Sequence, residues 1–266
     1  MWHNFATLLR YRGLIQSLVA RELKARYRGS VLGFFWSFVN PLLLLSIYSF
    51  VFAVIMPPAD LKAATNPFAV FMFCGLLPWT WFSASLLEGS GALISGGNLI
   101  KKVLFPAEIL PIVSVLANMV HFLLGLLILA GFMVWNQHFP DWNEVAWFPV
   151  IVLVQLIFTL GLVLLLAALT VHFRDLRDLL ANLLTFWFFA TPIIYSYKMD
   201  NVAKFANLFD WNPFFHFAVS YQEVLFFPGA FGHLKWLPVM FAGSVLMFFA
   251  GYWLFDRLRD SFAEAV

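Results

Sequence analysis

The side chains of this chain that could take part in chemistry are few and far apart. No G-x-x-x-x-G-K-[ST] motif is present, so the chain lacks that type of phosphate-binding loop. The six histidines show no metal-ligand spacing, and no G-x-S-x-G nucleophile elbow occurs. Cys74 and His121 each stand alone in an apolar stretch, and Glu88 lies near the end of one. The sequence therefore predicts a protein that is not an enzyme.

The composition indicates a chain whose solvent is mostly lipid. Hydrophobic residues make up 62% of its 266 residues and charged residues only 11%, and 33 residues are Phe. Soluble domains are about 45–50% apolar and about 25% charged. This composition excludes a cytosolic enzyme, a disordered chain and a secreted disulfide scaffold. A net charge of +2 without a dense basic block gives no reason to expect nucleic acid as a partner.

Six segments are apolar and long enough for membrane-spanning helices, which need about 20 residues. They are 31–55, 68–87, 110–135, 147–171, 179–195 and 236–255. None contains Lys, Arg or Asp, as the cost of a charge at the bilayer centre requires. We therefore predict an all-α polytopic membrane protein with a transmembrane domain at 31–255 and a cytoplasmic tail at 256–266. The fifth span is short and contains Pro192, so its outer end is the hardest boundary to place.

Positive charge is concentrated on one side of this topology. Twelve of the 16 Lys and Arg residues fall before the first span, in the second and fourth loops, and in the tail. The other four fall in the first loop and between the fifth and sixth spans. The positive-inside rule then places both termini in the cytoplasm. An odd number of spans would destroy this asymmetry.

Residues 1–30 are predicted to form an amphipathic interface helix on the cytoplasmic surface. A signal peptide is excluded because the apolar core is only seven residues long and ends at Arg21 without a cleavage site. Glu22 and Arg26 are spaced as an i, i+4 ion pair. The apolar side is an i, i+4 row of Ile15, Val19 and Leu23. The helix is an anchor at the lipid headgroups, and the same charges allow it to dock a partner.

Segment 211–227 is too apolar for a free outer loop and short for a span. It carries His216, Gln222 and Glu223 and begins with Asn-Pro, which disfavours helix before it. A span here would also move the tail to the outside. A re-entrant or interfacial element buried against protein fits these features. A seventh span is the alternative.

Several regions along the chain together resemble one family. Residues 21–43 read RELKARYRGSVLGFFWSFVNPLL, 100–112 read IKKVLFPAEILPI, 173–196 read FRDLRDLLANLLTFWFFATPIIYS, 212–214 are Asn-Pro-Phe, and the tail reads FDRLRDSFAEAV. The set resembles the membrane subunit of polysaccharide ABC exporters, the type-2 permease class that exports O-antigen, capsule and teichoic acid. RYRGS is most similar to the O-antigen branch, and a capsule or teichoic-acid exporter is the alternative.

The resemblance implies a half-transporter in the bacterial inner membrane. It implies six spans, cytoplasmic termini, an N-terminal interface helix and re-entrant outer helices after the fifth span. Two copies would pair as a homodimer, with the first and fifth spans lining the pathway, and two separate ATPase subunits would bind ATP and Mg²⁺. The chain itself is expected to bind no cofactor or metal. The expected function is ATP-driven export of a lipid-linked polysaccharide such as O-antigen.

The resemblance also implies that residues in the cytoplasmic segments transmit the movement of the ATPase subunits to the spans. They are Arg21, Lys24, Lys101, Lys102, Phe105, Pro106, Glu108, Arg174 and Asp175. Without the resemblance, the second-loop residues would be a positive-inside flank with a turn, and the fourth-loop residues a local salt-bridged loop. Charges here are expected at the surface, where substitutions cost within about 0.5 kcal/mol.

The surplus of aromatic residues offers contacts for a glycan, because aromatic faces can pack on the C–H faces of sugars. A conduit is needed, since each sugar hydroxyl stripped of water must find a partner. The candidates for the pathway are Trp36, Trp79, Trp81, Phe82, Trp187, Phe188, Tyr195, Phe214 and Phe215. The simpler interpretation is that Trp and Tyr mark the membrane interfaces and Phe faces lipid.

Two other functions stay open. The permease of a drug or lipid ABC exporter would have the same architecture, and it is distinguished by which substrate stimulates the partner ATPase. An integral-membrane glycosyltransferase or acyltransferase should instead display clustered acids, histidines or a metal motif at one membrane face.

Overall fold

The computed structural model describes residues 11–26, 28–55, 65, 67–97, 106–199, 202 and 204–265, and all regular structure in them is helical. The helices in chain order are α1 (Arg12–Arg26), α2 (Trp36–Ser49), α3 (Phe68–Ser90), α4 (Ala92–Ser95), α5 (Ile109–Trp135), α6 (Trp142–Val145), α7 (Phe148–His172), α8 (Leu176–Phe189), α9 (Ala206–Phe209), α10 (Pro213–Leu225) and α11 (Leu237–Ala265). Short 3₁₀ turns, Gly33–Phe35 and Gly232–Trp236, precede α2 and α11, and a π-helical turn, Phe50–Ile55, extends α2.

Within the described residues, four helical segments are long and apolar enough to cross a membrane. They are Phe68–Ser90, Ile109–Trp135, Trp142–His172 and Gly232–Phe262. They coincide with the second, third, fourth and sixth predicted spans. The chain is therefore an all-α protein with several helices of membrane length, as its composition predicts.

The fifth predicted span is helical over a shorter stretch than 179–195. Its helix, α8, ends at Phe189. Pro192 has no backbone N–H and disfavours helix in the residue before it, which accounts for the early end. The chain then continues as an irregular segment in which Thr191, Ile193 and Ser196 are buried. Protein rather than lipid therefore surrounds this non-helical backbone, as irregular structure at membrane depth requires.

Helix α3 forms the centre of the bundle. It packs against α5, α7 and α10, and Phe71, Phe73 and Phe82 are fully buried in it. Because neighbours surround it on most sides, α3 supplies the frame on which the more exposed helices α2 and α8 lie.

Helices α7 and α11 touch through their backbones at a glycine pair. A Cβ added to Gly161 would lie 2.6 Å from backbone atoms of Met247 and Phe248, and one added to Gly251 would overlap the carbonyl of Gly161. Small residues allow such close approach in membrane helices, where packing and not hydrophobicity drives association. The two helices therefore form one tightly packed unit.

Helix α1 packs on the first turns of α5. Leu18 is buried with Ile109 and Val113, and Ile15 and Val19 pack at the edge of this cluster. Ile15 and Val19 of the predicted apolar row thus contact protein, and Leu18, outside that row, forms the centre of the contact.

The unusual segment 211–227 forms the short helix α10. Its 13 residues span about 20 Å, too little for the roughly 30 Å hydrocarbon core. Every residue from Phe214 to Leu225 is buried. Asn212 caps the helix by accepting hydrogen bonds from the backbone N–H groups of Phe214 and Phe215. Helix α10 is therefore enclosed by protein from Phe214 onward, and only Pro213 at its start is exposed.

Candidate functional site

Helix α8 presents a polar row on a helix whose other side chains, apart from Arg177, are apolar. Asp178, Asn182 and Thr185 are exposed and lie one turn apart on one side of the helix. The opposite, buried stripe consists of Leu180, Leu184 and Phe188. A row of polar groups facing lipid is costly, so such rows face protein or a water-filled space. The row therefore marks the surface of α8 that needs a polar environment.

A groove lies between α2 and α8, over α3, and of the polar row only Thr185 lines it. Tyr48 of α2 and Phe188 of α8 are in ring contact at 5.7 Å. The groove has a volume of about 250 Å³, and Thr80, Ser83 and Thr185 give it hydroxyl groups. The two helices that the resemblance assigns to the pathway thus frame one partly polar groove.

A second cavity of about 490 Å³ lies between α1, α2, α3 and α5. At one side Arg26 pairs with Glu88 and donates a hydrogen bond to Asn118 Oδ1 at 3.0 Å. Asn118 also donates to Glu88, and to the Ser114 carbonyl at 2.9 Å. This cluster ties α1 to the end of α3 and to α5. The sequence places Glu88 at a span end but gives no partner for it.

The structure places most of the predicted glycan-contacting rings in the protein core. Trp79, Trp81, Phe82, Phe188, Phe214 and Phe215 are each 6% exposed or less. Trp79 and Phe82 pack on Phe214 with centroids 4.9 and 4.7 Å apart, joining α3 to α10. These rings act as packing in this conformation. Trp36, Trp187 and Tyr195 are only partly buried, and contact with a glycan stays a prediction for all nine candidates.

The end of the bundle opposite α1 holds a polar cluster around the buried Glu223. The hydroxyl of Tyr197 donates to Glu223 at 2.6 Å, and the backbone N–H of His233 donates to it at 2.8 Å. Burial, together with the bond to Glu223, raises the pKa of Tyr197, so its hydroxyl stays a donor. This cluster fixes α10 to the loops before and after it.

The predicted coupling residues differ in where the structure places them. Lys101, Lys102 and Phe105 lie outside the described residues. Arg21 and Lys24 are exposed on α1, Arg174 and Asp175 are exposed between α7 and α8, and Pro106 is partly buried before α5. Glu108 differs from its expected surface position, because it is only 2% exposed and pairs with Arg259 of α11 at 3.0 Å.

Comparison with known proteins identifies the family. A family model described as ABC-2 type transporter matches residues 13–226 of this chain. The chain belongs to the ABC-2 type transporter family. The match includes every helix from α1 to α10 and confirms the resemblance seen in the sequence.

Relatives within the ABC-2 family extend the similarity to nearly the whole chain. The chain is 44% identical over 262 residues, 97% of each protein, to the O-antigen export system permease protein RfbA of Myxococcus xanthus. It is 30% identical over 251 residues, 94% of each protein, to the protein of the same name from Klebsiella pneumoniae.

The sequence alone did not single out Asn118, Asn182 and Arg259. The signal for the first two was a polar side chain within an apolar span.

Proposed function

We propose that this ABC-2 protein is the permease subunit of an exporter that moves a lipid-linked polysaccharide of the O-antigen class across the bacterial inner membrane. The observation that carries the proposal is the exposed polar row of Asp178, Asn182 and Thr185 on α8. A polysaccharide requires hydrogen-bonding groups along its path, and lipid would not tolerate them. The names of the relatives, at up to 44% identity, support the substrate class.

The exposure of α2 and α8 supports a half-transporter arrangement. Leu43, Ile47, Leu183 and Phe186 on these helices are each at least 50% exposed. A second copy of the chain, facing the same surfaces, would enclose the two grooves in one conduit. ATP and Mg²⁺ would bind a separate ATPase subunit at the cytoplasmic ends, since this sequence has no phosphate-binding loop.

The proposed topology has six crossings and cytoplasmic termini. Helix α2 with its π-helical extension, Trp36–Ile55, is about 30 Å long and supports the first crossing. Helix α8 with the buried segment after it would form the fifth. Helix α10 would be re-entrant, because it is short and enclosed by protein. The positive-inside asymmetry supports the even number of crossings.

The test is reconstitution of the chain with its partner ATPase in liposomes. Lipid-linked glycan should stimulate ATP hydrolysis, and hydrophobic drugs should not. Asn182→Leu should reduce export by about fivefold, the value of one hydrogen bond of about 1 kcal/mol, without altering assembly. Asn136→Leu is the matched control, because Asn136 is also exposed and also donates to a carbonyl one turn earlier in its helix. Equal export by both variants would refute the pathway assignment.

A further inference from the structure

The last helix extends well beyond the thickness of a membrane. Helix α11 has 29 residues and is about 44 Å long, against about 30 Å for the hydrocarbon core. Apolar residues continue into its cytoplasmic end, where Phe255 and Phe262 are at most 1% exposed. The helix therefore continues because its end packs on protein, not because lipid surrounds it.

The cytoplasmic end of α11 contacts the segment that follows the second loop. Phe255 and Phe262 belong to one buried cluster with Leu93 and Ala107, on either side of that loop. Glu108 Oε1 lies 3.0 Å from Arg259 Nη2, and Asp256 lies 3.5 Å from the same guanidinium. Because Glu108 is 2% exposed, Arg259 is the counter-ion that makes this buried carboxylate tolerable.

The same end of α11 also contacts the end of α7. Ser261 Oγ is 3.1 Å from His172 Nε2, the last residue of α7. Arg174 and Asp175 follow two and three residues later and lead directly into α8. Within the membrane, the glycine contact between Gly161 and Gly251 holds α7 and α11 together. Helix α11 thus packs against α7, and its end is joined by the Arg259–Glu108 ion pair to the residues that follow the second loop.

We propose that Glu108 and Arg259 form a positioning link through which α11 carries movement of the second cytoplasmic loop to α7 and on to the pathway helix α8. This inference rests on the proposed function, because it assumes that an ATPase moves the second loop. The link acts within the permease, so neither Glu108 nor Arg259 needs to touch the ATPase subunit. The two predicted coupling loops would then act together and not separately.

The experiment uses the full complex of permease and ATPase in liposomes, with hydrolysis and export measured on the same preparation. The double variant Glu108→Gln, Arg259→Gln replaces the ion pair by two amides and leaves no charge buried, so it should assemble. Export per ATP hydrolysed should fall by about fivefold or more, the lower end of the range typical of coupling between sites. Arg259→Lys keeps the positive charge and should retain most of the coupling.

Arg257→Gln is the matched control. Arg257 is exposed on the same turn of α11 and lies over the Trp253 ring at 5.4 Å, so its loss should leave export per ATP unchanged. Wild-type coupling in the double variant would overturn the link, as would an equal loss in Arg257→Gln. Failure of the double variant to assemble would also overturn it, because the pair would then be structural. Absence of glycan-stimulated hydrolysis in the wild-type complex would instead refute the proposed function.

Discussion

At the scale of single residues, the sequence predicts which polar side chains need a partner, but it does not predict which residue that partner is. The i, i+4 spacing predicts a pair between Arg26 and Glu22, but Arg26 pairs with Glu88 and Asn118 of other helices. Local spacing cannot reveal a partner 62 residues away. The available signal was Glu88 itself, since a carboxylate at the end of an apolar span needs a counter-ion. Glu108 shows the same limit, because only the fold brings Arg259 to it.

Arg26→Met should weaken the contact of α1 with α3 and α5. It removes the counter-ion of Glu88 and one partner of Asn118, while the methionine side chain keeps the apolar contacts of the arginine stem. The pair is only partly buried, so the loss should be about 1 kcal/mol, or about 2–4 °C in Tm. Thermal unfolding of the purified protein in detergent measures it. Arg28→Met, at an exposed position, is the control, and an equal loss there would contradict this role.

At the scale of elements, hydropathy predicted the four helices of membrane length, but not where neighbouring protein or a proline changes the length of a helix. Helix α11 runs to Ala265, ten residues beyond the predicted end at 255, because Phe262 packs on protein. Helix α8 ends at Phe189, short of the predicted end at 195, because of Pro192. A hydropathy window reads the preference of a segment for lipid and carries no information on packing against neighbouring helices.

Gly251→Ala should separate α7 from α11. The added Cβ would overlap the carbonyl of Gly161, a backbone atom that cannot move alone, so the overpacking should cost about 1–3 kcal/mol. Gly243→Ala, on the same helix, has nothing within 4 Å of the added Cβ and should not destabilise the protein. Unfolding temperature of both variants in detergent provides the measurement. Equal stability of the two would show that the helices do not touch at Gly251.

At the scale of the whole molecule, composition predicts how much of the chain is apolar but not which side chains face inward. The aromatic residues proposed as glycan contacts illustrate this: Phe82 and Phe214 are fully buried where α3 meets α10, whereas Phe186 of α8 is 74% exposed. All three lie in apolar segments, so hydropathy treats them alike. The exposed polar row on α8 is the feature that sets this helix apart, because polar groups facing lipid are costly. The polar row is recognised only when the exposed residues of α8 are compared with its buried residues Leu180, Leu184 and Phe188.

Topology can be tested with single introduced cysteines in the native background. Cys74 is the only cysteine of the sequence and is 1% exposed, so it should not react with a membrane-impermeant maleimide. Asn143 and Arg174 are both exposed and flank α7, so Asn143→Cys should label in intact spheroplasts and Arg174→Cys only after lysis. Asp260→Cys, at the exposed end of α11, should behave like Arg174→Cys. Labelling of Asp260→Cys in intact spheroplasts would establish an odd number of crossings, and α10 would then have to span the membrane. Identical labelling of Asn143→Cys and Arg174→Cys would show that α7 does not cross it.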